Sequence, residues 1–370
     1  MRKVAVFFGG KSSEREISVL TGVFVLNVLD RTKYDILPVY IGEDGGYYTS
    51  EKMYSIEAFK GGRYAFKRLF FDHGRAYVWE KEGKKSRCTG EIEVALNCCH
   101  GGVGEGGGVS ALCLLQGWAN ASPAVAPCAV ALDKSLTKLV AKGLGIATLD
   151  AVRVEEGDYR KRGKFLLKTV GLRLKYPVIV KPVSQGSSIG VSVATDEKQL
   201  QAALESAFAL DAVALVEKYL ADKKDVNCAA YRLQGEIILS EAEIANAEEG
   251  VYDFDKKYLQ GGDFLKGGGR TTIGGKVREK IRQATKLLYK RLAMTGVVRF
   301  DFLLGGDGDV YLSEINAVPG SLAYYLFCER LSDARTFFSD LIEEGVLAQA
   351  REKKQSLSAG VLSALTVRRK

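Results

Sequence analysis

The 370 residues are 46% hydrophobic and 26% charged, with 53 Lys and Arg against 45 Asp and Glu, a net charge of +8. At about 100–200 residues per domain this length predicts two or three domains, and the composition excludes a globally disordered chain. Apolar runs stay short of the roughly 18–20 residues a membrane-spanning helix needs, and the basic residues are scattered apart from Arg160–Lys164 and Arg368–Lys370, so neither a membrane nor a nucleic acid is expected as partner.

Lys3–Phe8 reads as a strand, Gly9-Gly10 as its turn, and Ser13-Glu14-Arg15-Glu16 as a capping box opening a helix to about Leu29. Tyr34–Ile41 is the next strand, which makes a βαβ start and predicts a parallel sheet. Residues 42–93, rich in Gly, Tyr and charge, read as an irregular insertion with short strands. Strand Glu93–Cys99 runs into the Gly-rich segment from His100 to Gly108, followed by a helix Val109–Trp118. Ser122–Ala131, small and Pro-punctuated, reads as a boundary.

Beyond it the pattern predicts helix Asp133–Lys142, strands at Ala151–Val154, Pro177–Lys181 and Val191–Ala194, and helix Glu197–Phe208. Strands Ala212–Lys218, Asp225–Leu233 and Glu236–Glu243 follow, then a Gly-rich stretch from Gly250 to Gly275, helix Lys276–Met294 and a hairpin about Asp307. The fold class is α/β, in part α+β. Expected units are 1–121, 122–211 and 212–350, with a basic tail at 351–370. Seven Cys without C-x2-C spacing, and only His73 and His100, point away from zinc and toward reduced thiols in a cytoplasmic chain.

Three stretches carry candidate chemistry. Lys181 ends an apolar strand beside Ser184-Gln-Gly186-Ser-Ser-Ile-Gly190. Free N–H groups, hydroxyls and one ammonium there suit phosphate, although this is no Walker loop; an ordinary flexible hairpin is the plain alternative. Arg299-Phe-Asp301 and Glu314-Ile-Asn316 lie on two alternating strands, offering hard oxygen ligands of the kind magnesium takes. A four-residue turn, Gly306–Asp309, would pair Asp301 with Glu314 on one face, and a five-residue turn would separate them; a solvated hairpin face is the plain reading. Glu217-Lys218 ends a strand that could offer backbone to adenine, and His100 could meet substrate or serve as a structural hydrogen-bonder.

Taken in order, Gly9–Ser18, His100–Glu105, Leu132-Asp-Lys134, Val180-Lys181-Pro with Gly186–Gly190, Glu217-Lys218, Tyr252–Tyr258, Arg299-Phe-Asp301 and Glu314–Gly320 resemble the D-alanine–D-alanine ligase family of the ATP-grasp superfamily. The resemblance implies a three-domain ATP-grasp architecture with an N-terminal parallel-sheet domain. It implies an enzyme that uses ATP to join two D-alanines through an acylphosphate for cell-wall precursor synthesis. Its ions would be two magnesium, or manganese in their place, and its state a homodimer.

By the same resemblance, Lys134 and Lys181 hold phosphates; Glu217, Lys218 and Leu220 frame adenine; and Asp225 stands at the ribose contact. Asp301, Glu314 and Asn316 take the metal ions. Glu14 takes the first D-alanine's ammonium, grouped with Ser187 and Tyr258, and Arg299 and the Gly320 N–H serve the oxyanion. His100, Lys257, Ser321 and Tyr325 are substrate contacts, with Lys257 and Tyr258 on a mobile lid. Tyr258 itself favours an amino-acid acceptor over D-lactate.

The chain departs from the family pattern at Gly106, at Ser110 and at Tyr325, where many members place Ser. Alternatives are a D-alanine–D-serine ligase, another ATP-grasp carboxylate–amine ligase, or a nucleotide-binding regulator without turnover. A nicotinamide dehydrogenase is disfavoured because Gly9-Gly10 lacks G-x-G-x-x-G.

Overall fold

The computed structural model describes residues 1–60, 66–79, 86–245, 272–306 and 308–352. Its first sheet has eight strands: β1 (Arg2–Gly9), β2 (Tyr34–Ile41), β3 (Tyr47–Thr49), β4 (Lys67–Asp72), β5 (Arg75–Trp79), β6 (Ser86–Glu91), β7 (Val94–Asn97) and β8 (Ala119–Asn120), in the order β6-β5-β4-β3-β2-β1-β7-β8. The strands β2, β1, β7 and β8 run parallel, as the βαβ start requires. The short strands expected within 42–93 are there, but among the described residues they are not irregular: the β3–β6 meander extends the sheet antiparallel from β2. Its regularity comes from stacked rings such as Phe70 and Tyr77, 5.1 Å apart on paired strands.

Helix α1 (Arg15–Val28) packs on this sheet, but the expected capping box is not made. Glu14 is the N-cap without a side-chain cap bond. Ser13 Oγ donates instead to Gln185 Oε1 at 2.9 Å, and Ser12 Oγ to the His100 carbonyl at 2.6 Å. The polar groups at the helix start are therefore turned toward the functional cleft.

After a π-helical turn at Gly104–Gly108 come α2 (Val109–Gln116) and, where a boundary was expected, α3 (Val125–Leu132), then α4 (Lys134–Gly143). Asp133 caps α4 by accepting from Ser135 N at 2.8 Å and Leu136 N at 3.0 Å, which fixes Lys134 at the helix's first turn.

The second sheet, order β11-β10-β12-β9, contains β9 (Ala151–Glu155), β10 (Val178–Pro182), β11 (Ser192–Ala194) and β12 (Val213–Lys218), all antiparallel. Because β12 lies inside it, this sheet continues past residue 211, where the second unit was expected to end. One face is covered by α6 (Glu197–Phe208) and by an unanticipated helix, α5 (Glu156–Leu174), whose Tyr159, Leu167, Val170 and Leu174 are buried.

The third sheet runs β14-β13-β16-β17, with β13 (Lys223–Leu233), β14 (Glu236–Leu239), β16 (Val298–Gly305) and β17 (Val310–Asn316), and β15 (Glu243–Ile244) also pairs with β13. The single strand expected over Glu236–Glu243 is thus two. Helices α7 (Gly275–Arg291) and α8 (Leu331–Glu352) complete the described residues.

The first and third units share one core, in which Phe24 of α1 lies 4.9 Å from Tyr324 and 5.6 Å from Phe338 of α8. Each such buried ring stabilises by about 2 kcal/mol. The second sheet has a separate core. Its loop Ser184–Gly190 therefore meets the other two units only across the cleft.

Candidate active site

A cavity of about 260 Å³ opens where the three units meet, lined by Glu14, His100, Glu105, Lys134, Gln185, Gly186, Ser187, Arg299, Glu314, Asn316 and Gly320 among others. Thus eight of the candidate residues named above, Gly320 included, line one cavity, and Lys181, Glu217 and Asp301 are not among its lining. Ser187 Oγ donates to Glu14 Oε1, joining the second unit to the first. Gly186 must be Gly for this contact: a Cβ there would lie 2.4 Å from Glu14 Oε2.

Lys134 donates to the Gln185 carbonyl at 2.6 Å and stands 3.4 Å from Glu314 Oε2. Lys181 lies 2.8 Å from Glu217 Oε2. The Glu217 carboxylate is buried against Lys181 and Lys138; burial would raise its pKa, and the two ammoniums outweigh that and hold it below the ordinary value. Lys218 is exposed, with its backbone N–H on the Asp150 carbonyl at 2.9 Å, and Leu220 is half-buried just beyond β12. Asp225 is exposed and accepts from Lys223 Nζ at 2.7 Å.

On the third sheet, Arg299 forks onto Asp301, Nε to Oδ1 at 2.8 Å and Nη2 to Oδ2 at 2.9 Å, and its Nη1 donates to Tyr325 Oη at 3.2 Å. Asn316 Nδ2 donates to Asp301 Oδ2 at 2.8 Å. Asp301 and Glu314 are cross-strand partners. Burial raises the Asp301 pKa, and the Glu314 charge adds to the rise against the pull of Arg299.

Among the described residues no cluster of three or more His, Cys, Asp and Glu is set to hold a metal. Two half-buried carboxylates and an amide are nevertheless a hard-oxygen set. Each ionised carboxylate has about four lone-pair sites, so Asp301 can accept a ligand beside Arg299. A dication would relieve the repulsion between the carboxylates. The residues fit magnesium.

His100 is buried, with Nε2 on Thr21 Oγ1 at 2.8 Å; burial pushes its pKa down to about 4, so the ring is neutral near pH 7. Thr21 Oγ1 also accepts from Ser321 N at 3.1 Å, which ties the Ser321 backbone to the buried ring. Ser321 thus joins the site through its backbone. Lys257 and Tyr258 lie outside the described residues.

Two groups received no role from the sequence, Glu105 although it closes the His100–Glu105 motif. Glu105 accepts from Gly101 N at 2.7 Å and Val318 N at 3.3 Å, and burial raises its pKa to about 7 despite these bonds. It is the one charged residue in the Gly run, the signal that could have singled it out. Lys138 lies one helical turn after Lys134 and therefore on the same face, which was its signal.

Family models of the N-terminal and C-terminal parts of D-Ala D-Ala ligase match residues 3–119 and 140–346. The D-alanine–D-alanine ligase of Thermosipho melanesiensis is 30% identical over 370 residues, covering 98% of both chains. That of Helicobacter pylori strain P12 is 33% identical over 326 residues, covering 87% of this chain and 89% of its own. The crystal structure of the ligase from Helicobacter pylori matches with a TM-score of 0.74 at 28% identity over 93% of this chain and 98% of that one. A Coxiella burnetii ligase structure shares the fold, with a TM-score of 0.77 at 21% identity over 95% and 97%.

Fold and site together define an ATP-grasp protein. The chain belongs to the D-alanine–D-alanine ligase family.

Proposed function

We propose that this chain is an ADP-forming ligase that joins two D-alanines into D-alanyl-D-alanine for peptidoglycan precursor synthesis. The observation that supports it at the level of the site is the gathering of Glu314 and Asn316 beside Lys134, facing the Ser184–Gly190 loop across one cavity, with Asp301 the cross-strand partner of Glu314.

In this reading Glu14 receives the first D-alanine's ammonium, and Ser187 holds that carboxylate in place. Lys134 and Lys181 neutralise the ATP phosphates, so that a D-alanine carboxylate oxygen can displace ADP from the γ-phosphorus. Asp301, Glu314 and Asn316 would hold magnesium, which spreads phosphate charge when bound. The second D-alanine's amine attacks the acylphosphate carbonyl carbon. Arg299 and the Gly320 N–H stabilise the resulting oxyanion, and its collapse expels phosphate and leaves the amide. Neutral His100 acts through Thr21 to hold the Ser321 backbone.

Lys218 and Leu220 with Glu217 serve the adenine, Asp225 the ribose, Tyr325 the second substrate, and Lys257 and Tyr258 the closing lid. A cytoplasmic homodimer completes the reading, and light scattering tests the dimer.

Incubation with ATP, magnesium and D-alanine, with D-serine and D-lactate in parallel, tests the activity by product mass. D-alanyl-D-alanine is the expected product. ADP release only with D-serine as acceptor would move the specificity, and no product with any acceptor would overturn the reading.

A further inference from the structure

Glu217 is 1% exposed and touches two ammoniums, Lys138 Nζ at 2.7 Å on Oε1 and Lys181 Nζ at 2.8 Å on Oε2, which are themselves 5% and 14% exposed. Lys181 reaches Glu217 across the sheet, since Ile179 is the cross-strand partner of Glu217 and Lys181 lies two residues on, on the same face. Lys138 reaches it from α4.

A buried Lys181–Glu217 pair alone carries no net charge and would present little attraction to a polyanion. With Lys138 included the three groups carry one net positive charge, and Lys181 is the most open of them. The field of Lys181 also reaches Glu314.

We propose that Lys138 is a positioning residue for a nucleoside triphosphate: by sharing Glu217, it leaves the Lys181 ammonium with positive charge to offer the phosphates. The proposal rests on the phosphate role of Lys181. It assigns Glu217 a second duty, as the counter-ion that sets how much of that charge is spent inside the protein.

Calorimetric binding of magnesium-ATP and of adenosine to the full chain separates phosphate attraction from base recognition. The readout is the ratio of the two affinities. Lys138→Met should lower this ratio about tenfold, while Lys138→Arg keeps it. In a Glu217→Gln background, removing Lys138 takes the group from two net positive charges to one, so the ratio should stay near the wild-type value instead of falling about tenfold below it. That double variant removes the two most buried ions together and leaves only Lys181, 14% exposed, without its counter-ion, which keeps the test open should the Lys138→Met chain fail to fold.

An unchanged ratio in Lys138→Met, or a double-variant ratio about tenfold below wild type, would overturn the proposal. A wild-type ratio in Lys181→Met would instead remove the phosphate role beneath it. Turnover of the wild type with D-alanine is scored separately and bears on the ligase reading alone.

Discussion

Asp301 and Glu314 stand opposite one another because β17 carries an extra residue, Ser313. Leu304 pairs with Val310 and Phe302 with Leu312, yet Asp301 pairs with Glu314, so the register shifts between Asp301 and Phe302. Without the bulge Asp301 would face Ser313, and Glu314 and Asn316 would turn to the other side. Deleting Ser313 removes only the extra residue and keeps Asp301 opposite Glu314, so the magnesium dependence should survive it, whereas Glu314→Gln should lower kcat by about 100-fold or more and weaken that dependence. Circular dichroism and a magnesium titration of ADP release check both variants; an unchanged magnesium response in Glu314→Gln, or its loss on deleting Ser313, would contradict the pairing of the two carboxylates as the metal site.

A methyl group at position 186 would sit 2.4 Å from Glu14 Oε2. The crowded atom ends a flexible side chain, so the cost falls on the placement of the carboxylate more than on folding. Gly186→Ala should raise KM for the first D-alanine about tenfold with little change in Tm. Initial-rate kinetics at saturating ATP decide it; an unchanged KM would detach Glu14 from the ammonium.

Glu105 binds its proton more tightly in the folded chain, at about 7 against an ordinary 4.5, chiefly through burial. Its stabilising share is whole below about pH 4.5 and falls away as pH rises through about 7, by up to about 3 kcal/mol. His100, lowered from 6.5 to about 4, has the opposite slope, present above 6.5 and lost toward 4. Comparing wild type with Glu105→Gln cancels the histidine. Denaturant unfolding at pH 5 and pH 8 should show the wild type's advantage over Glu105→Gln shrinking as pH rises; a constant difference would contradict the raised pKa.

Tyr325 accepts from Arg299 Nη1 at 3.2 Å, at a guanidinium that is otherwise clamped on Asp301. Tyr325→Phe leaves that half-buried N–H without its acceptor and should cost about 1 kcal/mol of stability, with kcat falling more than the KM for ATP. Equal rates in the two proteins would show that Arg299 is oriented by Asp301 alone.

How far residue patterns reached can be judged at the same places. The ordered motifs located Glu14, Lys134, Ser187, Arg299, Glu314 and Asn316, because short runs of Gly, Ser and charge between apolar strands survive as local spellings. The Asp301–Glu314 pairing was left open on turn length, and the structure reaches it through a bulge, which period-two patterns cannot reveal. Lys138 and Glu105 depend on partners about 80 and 200 residues away, Glu217 and Val318. Ser13 and Glu14 spell a capping box, but tertiary partners at Gln185 and Ser187 take their side chains instead. The strands β3–β6 hid in a stretch rich in Gly and charge, where side-chain stacking rather than alternation makes the sheet.

The acylphosphate is the centre of the account, and isotope transfer tests it most directly. With D-alanine labelled by oxygen-18 in its carboxylate, attack on the γ-phosphorus and later cleavage of the carbonyl carbon–oxygen bond must carry one labelled oxygen into the released phosphate. The account predicts singly labelled phosphate in step with ADP. Unlabelled phosphate accompanying dipeptide formation would contradict it.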